Sequence, residues 1–293
     1  MGLDPTCAKR IPLNICDPNY MRAYFTCLHN PLEKMGVDFW WMDWQQGSQG
    51  SHLPHLDTLP WINELHWQDQ VRNRTSKRPL NFSRFGGVGA GRMPVGFSGD
   101  TFITWESLAY QPYFTATAAN VLYGTWSHDI GGHMSGTLTP ELYTRWIQFG
   151  VYSPILRTHA SKRPESERRV FHYPDPYRGI MSTDCRRRYE LVPYIYTQMR
   201  AAVDTGVSLC RPMYYEWPEE NRAYSSPDQY MFGEEMLVAP VIRPVDGDTE
   251  MTEMSVWLPD GEWWDTVWGS PVQGGKVIKR SYVLEETPVF VRP

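Results

Sequence analysis

Two aspartates stand out by their neighbours. Asp43 comes near the end of GVDFWWMDWQQG, wedged between Met42 and Trp44 in a stretch that is otherwise mostly apolar. Asp100 closes PVGFSGD. A carboxylate set among tryptophans is costly unless it is put to use. Two carboxylates, one ionised and one protonated, are the equipment of glycoside hydrolysis. One gives its proton to the leaving oxygen and the other meets the anomeric carbon. In a retaining enzyme the two stand roughly 5–5.5 Å apart, so that the second attacks and a covalent intermediate forms. Spacing along the chain does not give that distance, but the two residues sit on separate strand-like segments that could face one another across a barrel mouth.

Other apolar segments end in polar groups as well. Arg84 ends RPLNFSR, His128 and Asp129 end YGTWSHD, and Arg157 and His159 end PILRTH. In a parallel βα barrel such ends converge on one rim, where the chemistry is done. Competing readings are weaker. GGVGAG at 86–91 is not GxGxxG and no helix start follows it, so a dinucleotide site is not indicated. HDIGGH sets His128 and His133 across a Gly-Gly turn with Asp129 between, which fits no standard metal site. Ser98 in GFSGD lacks the nucleophile elbow of a serine hydrolase. Five cysteines, Cys7, Cys16, Cys27, Cys185 and Cys210, are scattered without a CxxC pair, as buried free thiols would be.

These residues need elements to hold them. Asp17-Pro18 opens a helix as N-cap and N1, Met21, Tyr24, Phe25 and Leu28 follow helical spacing, and Gly36 ends it. VDFWWMD then reads as a buried strand, LPWINELHWQDQVRN as a helix and RPLNFSR (78–84) as a strand. TWESLAYQPYFTATAANVL is helical, YGTWSHDIGG strand-like, TPELYTRWIQFGVYS a helix capped by Thr139, PILRTH a strand, and STDCRRRYELVPYIYTQMRAAVDTG one long helix ending at Gly206. This alternation predicts βα units on a parallel sheet. After Gly206 short strands broken by Pro, Gly and Asp follow, with no amphipathic helix, predicting an antiparallel β-domain. The expected domains are 1–205 and 206–293.

Bulk composition agrees. The chain has 293 residues and 41% hydrophobic content, enough for a sizeable core. A net charge of −5 gives no basic footprint for nucleic acid. No run of 18 apolar residues could span a membrane. The first sixteen residues lack the apolar core of a signal peptide, which weakly favours the cytoplasm. Aromatics make up 14%, with 13 Trp and 17 Tyr. Most would serve the core, yet such rings also stack on the apolar faces of sugars while keeping a polar edge.

Taken together, the chain resembles glycoside hydrolase family 31, the α-glucosidase and α-xylosidase family. FWWMDWQQG is similar to that family's nucleophile segment, and SRFGGVGAGRMPVGFSGDTFITWESL to its acid/base segment. SHDIGGH, ILRTHA, RPMYYEWP and QYMFGEEMLVAPV resemble further family blocks in the right order. The resemblance implies Asp43 as nucleophile and Asp100 as acid/base. It implies Arg84, Asp129 and His159 as sugar contacts, and Trp41 and Phe97 as aromatic walls. It also implies a (β/α)8 barrel followed by a small antiparallel β-sandwich, a glycoside or oligosaccharide substrate, and no metal or organic cofactor. On this reading Asp43 must stay ionised beside an apolar sugar face, while Asp100 must keep its proton near neutral pH. Two departures follow. WQQG stands where many members carry Asn-Glu, so substrate preference could differ from that of a plain α-glucosidase. The family's barrel begins earlier, so its first three strands are expected to lie outside this chain, and an open half-barrel would expose strand edges. The alternatives are a truncated, inactive or merely sugar-binding form, and a family lyase that eliminates rather than hydrolyses.

Overall fold

The computed structural model describes residues 13–43, 53–73, 78–84, 88–92 and 95–293. Trp44 and WQQG, Cys7 and part of GGVGAG lie outside the described residues. The chain divides into two compact units, 1–96 and 97–293.

In the first unit, α1 (Pro18–Ala23) is capped by Asp17, whose Oδ1 accepts from the N–H of Asn19 at 2.8 Å and of Tyr20 at 3.3 Å. The predicted helix does run on, but through a π-helical stretch, Tyr24–His29, into α2 (Asn30–Lys34). The wide turn ends at Asn30, whose N–H reaches the carbonyl of Phe25, and Pro31 then has no N–H to give. β1 (Trp40–Met42) is shorter than the sequence implied. After α3 (Thr58–Asn73), β2 (Asn81–Arg84) pairs with β1 in parallel, Trp40 opposite Asn81, Trp41 opposite Phe82 and Met42 opposite Ser83. Met42 packs with buried Ile15, Met21, Phe25 and Ile62.

The register of β2 is set by polar groups. Asn63 Nδ2 on α3 donates to Ser83 Oγ at 2.7 Å, Gln70 Nε2 donates to Asn81 Oδ1 at 2.8 Å, and Asn81 Nδ2 donates to the Asn63 carbonyl at 2.8 Å. Buried polar groups must be paired, and a slip of one residue would break all three bonds.

β3 (Val95–Phe97) stands where one unit gives way to the next along the chain. In the second unit, α4 (Trp105–Thr117) starts at Thr104, whose Oγ1 accepts from Ser107 N–H at 3.1 Å. β4 (Trp126–Ser127) follows. The predicted strand PILRTH forms only isolated parallel bridges, Ser127 with Ile155 and Ile130 with Thr158. Here Arg157 and Ser153 bond with their side chains, to Ser127 Oγ and to the carbonyls of Gly150 and Ile155. α5 (Pro140–Val151) is capped by Thr139 as expected and is buried from Leu142 to its end, Arg145 included. The predicted single helix ending at Gly206 is two helices, α6 (Tyr177–Glu190) and α7 (Val192–Thr205). They break at Leu191 because Pro193 can begin a helix but not continue one. Gly206 ends α7 at φ +74°.

Beyond it come β5 (Cys210–Arg211), a short helix α8 (Asn221–Tyr224) that sequence did not indicate, β6 (Tyr230–Phe232), β7 (Met236–Val238), β8 (Thr252–Leu258), β9 (Glu262–Asp265), β10 (Ser270–Gln273), β11 (Lys276–Tyr282) and β12 (Val289–Val291). Six strands form an antiparallel sheet in the order β10-β9-β12-β7-β6-β5, and β8 pairs with β11. Met231, Leu237, Trp263 and Phe290 from the larger sheet share one core with Val256, Leu258 and Ile278 from the smaller. This domain is clamped to α5. Arg145 Nη1 donates to the Glu286 carbonyl at 2.9 Å and Nη2 to that of Val283 at 3.2 Å, while Gln148 Nε2 donates to that of Leu284 at 2.8 Å. Burial pulls the Arg145 guanidinium down to about 10.

Candidate active site

In the first unit, Asp43 follows β1 directly and Arg84 closes β2. Parallel pairing therefore brings them side by side. Arg84, 9% exposed, directs Nε at 2.8 Å and Nη2 at 2.7 Å to Asp43 Oδ1. The Asp43 side chain is one-third exposed. Strand alternation puts Trp41 on the side of Asp43 and Met42 on the core side. The Trp41 indole stacks on Phe82 with ring centres 5.7 Å apart at 26° and is 45% exposed. A sugar-sized aromatic face thus stands beside an arginine-oriented carboxylate.

In the second unit, Gly99 and Asp100 both take left-handed backbone, at φ +61° and +54°. A non-glycine residue there stores about 1 kcal/mol or more of strain, and such outliers concentrate at working sites. Asp100 Oδ1 lies 3.5 Å from His133 Nε2, and the His133 ring stacks on His159 at 4.8 Å and 28°. The two segments are zipped together. Thr101 O accepts from the N–H groups of His133 and Met134, and Ile103 N–H returns to the Met134 carbonyl at 3.0 Å. Gly132, at φ +75°, makes this approach feasible, since a β-carbon there would lie 2.7 Å from the Phe102 carbonyl oxygen.

Asp129 is 1% exposed. Its Oδ1 accepts from Arg157 Nη2 at 2.6 Å and its Oδ2 lies 3.5 Å from Thr101 N. Arg157 also donates to Ser127 Oγ at 2.9 Å, and its guanidinium stands 5.7 Å from the centre of the Phe97 ring, itself buried. Phe97 and Asp129 therefore sit behind Arg157. His128, which the sequence placed on the rim with Asp129, points the opposite way. It is buried with Nδ1 2.8 Å from Gln111 Oε1 and Nε2 3.2 Å from Thr115 Oγ1, and burial pushes it down to about 3.

Three residues near these groups were missed as site residues. Arg157 and His133 were visible in their motifs but were read as a strand end and a doubtful metal ligand. Arg168 gave no signal within its charged loop. It donates from Nε to the His159 carbonyl at 3.0 Å and from Nη2 to the Gly131 carbonyl at 3.2 Å and to that of Gly132. Its guanidinium lies 5.5 Å from the Tyr143 ring centre. Among the described residues no three His, Cys, Asp or Glu side chains gather as a metal site, and no helix is long and apolar enough to cross a membrane.

Comparison with known proteins identifies the family and the fold. The glycosyl hydrolases family 31 TIM-barrel domain matches residues 8–198, and the family's C-terminal domain matches residues 206–293. An α-xylosidase of Saccharolobus solfataricus is 27% identical over 283 residues, covering 88% of this chain and 37% of its own length. An α-xylosidase of Emericella nidulans is 31% identical over 238 residues, covering 79% and 29%. The chain thus spans about a third of the length of these two curated relatives, and as little as 13% of another. Among solved structures, a cycloalternan-degrading enzyme from Trueperella pyogenes superposes with a TM-score of 0.83 at 24% identity, over 96% of this chain and 40% of that one. That likeness speaks to fold. A TIM-barrel domain followed by a C-terminal β-domain is the architecture of these matches, and the chain belongs to glycosyl hydrolase family 31.

Proposed function

We propose that this chain carries the catalytic carboxylates of a retaining α-glycoside hydrolase acting on terminal α-linked sugars. Residues 1–205 would supply part of the barrel and 206–293 the β-domain. The observation that carries the reading is the Arg84-oriented Asp43, set at the C-terminal end of a parallel strand beside the stacked Trp41 and Phe82 rings. A carboxylate oxygen of Asp43 bonds to the anomeric carbon as the bond to the aglycone oxygen breaks, and Asp100 gives that oxygen its proton. Asp100, now a carboxylate, takes a proton from water. The water oxygen bonds to the anomeric carbon and the ester to Asp43 breaks. Two inversions give net retention. Arg84 orients the nucleophile. Arg157, holding Asp129 and lying over Phe97, and His159, stacked on His133, form the wall around the acid/base. No step requires a metal or organic cofactor.

Similar proteins described as α-xylosidase, α-glucosidase and isomaltosyltransferase frame the substrate as an α-linked glucose or xylose.

The test is turnover of aryl α-glucosides and α-xylosides by the unaltered chain and two variants. Asp43→Ala is expected to lose about 10⁴-fold or more, and Asp100→Ala about 10²–10⁴-fold. Added azide should restore Asp100→Ala and yield a glycosyl azide of retained configuration. Full activity in Asp43→Ala would overturn the assignment. Binding without turnover in the unaltered chain would reduce it to a sugar-binding protein, and an unsaturated sugar product would make it a lyase.

A further inference from the structure

We infer that His133 is the positioning residue for the acid/base, a neutral imidazole whose Nε2–H points at Asp100. The inference rests on the role proposed for Asp100, but its evidence is separate. His133 Nε2 lies 3.5 Å from Asp100 Oδ1, and the histidine side chain is only 18% exposed. Its backbone is fixed on both sides, by its own N–H to the Thr101 carbonyl and by the Ser161 N–H to its carbonyl at 3.1 Å. Its ring lies flat against His159, which leaves it little freedom to swing away. Asp100 is tied to the same device, since Thr101, the next residue, provides the carbonyl that holds His133.

The other ring nitrogen decides the protonation state. Nδ1 is buried with no hydrogen-bond partner among the described residues. In an imidazolium both nitrogens are donors, and a charged N–H would then be buried unpaired, which is the costlier defect. In the neutral tautomer with the proton on Nε2, Nδ1 is only an unused acceptor. The charged groups of the neighbouring segments have partners of their own. Among the described residues that pack here, Arg157 is committed to Asp129 and Arg168 to the carbonyls of Gly131, Gly132 and His159. The Glu167 carboxylate is paired with Arg169. Asp100 is the carboxylate that faces the ring.

A neutral donor suits a residue that must work in both protonation states. When Asp100 holds the proton, His133 fixes which oxygen accepts and so leaves the other to carry the proton to the leaving group. Once Asp100 is a carboxylate, the same N–H aligns it for water. Loss of the donor disfavours the carboxylate form, so the basic limb of the pH profile, which reports loss of the acid's proton in the free enzyme, moves to higher pH.

The test compares pH profiles of kcat/KM for the unaltered chain, His133→Phe and His133→Gln on an aryl α-glycoside, with Asp100→Ala alongside. His133→Phe keeps a flat ring against His159 but has no donor, and its basic limb is expected to rise by about half to one pH unit. His133→Gln places an N–H near the same point and should restore the original limb. A Phe profile that superimposes on the unaltered one overturns the inference, as does a Gln profile displaced like that of Phe. If Asp100→Ala is fully active, it is the catalytic assignment that has failed instead. Nitrogen NMR of the full chain at neutral pH reads the tautomer without turnover. The Nε2–H form is expected, and an imidazolium or an Nδ1–H form overturns the inference.

Discussion

Asp129 and Arg157 show how little an individual charge means without its partner. Asp129 is as buried as a core leucine and is held by one guanidinium and a backbone amide. Removing one member of a buried pair strands the other, typically at about 3–5 kcal/mol, whereas removing both costs far less. Arg157→Leu should therefore lower stability by about 3 kcal/mol, and adding Asp129→Asn should recover more than half of it, read from urea midpoints. A double variant no more stable than the single would show that the pair does not behave as a unit. The same residues mark where sequence reading stops. Asp43, Arg84 and Asp100 draw notice in the sequence because each is a polar group at the end of a strand-like segment, a contrast visible along the chain. That Phe97 and Asp129 are buried against Arg157 could not be read from the sequence. Arg168 was silent, since its partners are carbonyls, which every residue has.

At the scale of elements, what the sequence announced were the capped starts. Asp17-Pro18 and Thr139 each begin a helix where the side chain reads as a cap, and Thr104 proves to cap α4 as well. What it concealed were interruptions imposed by proline and by long-range pairing, such as the wide turn before Pro31, the break at Leu191, and a PILRTH segment that forms isolated bridges in place of a strand. The loop that carries His133 depends on a glycine for both shape and space. Gly132→Ala would force a β-carbon into the Phe102 carbonyl and the Ile103 α-carbon at a backbone angle L-residues avoid. The expected cost is about 2–3 kcal/mol, with activity reduced through displaced His133. Asp17→Ala, which only removes a cap, should cost about 1 kcal/mol and leave activity unchanged. Thermal melts and assays of the two side by side test the contrast, and equal stabilities would refute the steric argument.

For the whole molecule, burial of two neutral, hydrogen-bonded imidazoles shapes the response to acid. His66 in the first unit and His128 in the second are both pushed down to about 3, chiefly by desolvation. An unfolded chain takes up these protons near pH 6.5, so the stability they represent is complete above that value and is lost as pH falls toward 3. Asp184 has the opposite sign. Burial raises it to about 6, so its contribution is fullest below 3.8 and declines as pH rises through 6. Two histidines outweigh one aspartate, and stability should fall by several kcal/mol between pH 6.5 and 4. His128→Gln should flatten that slope, as chemical denaturation at stepped pH would reveal. A variant with an unchanged slope would show that His128 is not the group responsible.

The clamp on α5 has a consequence for how the β-domain can be lost. Arg145 and Gln148 grip the carbonyls of Val283, Leu284 and Glu286 from the buried part of α5. A protease that nicked the exposed turn at Gly206 would cut the backbone without freeing the sheet. Departure of the sheet would leave a guanidinium with no oxygen to meet, in a place water does not reach. The two pieces would travel together on a sizing column, and they would come apart only under conditions that also melt α5.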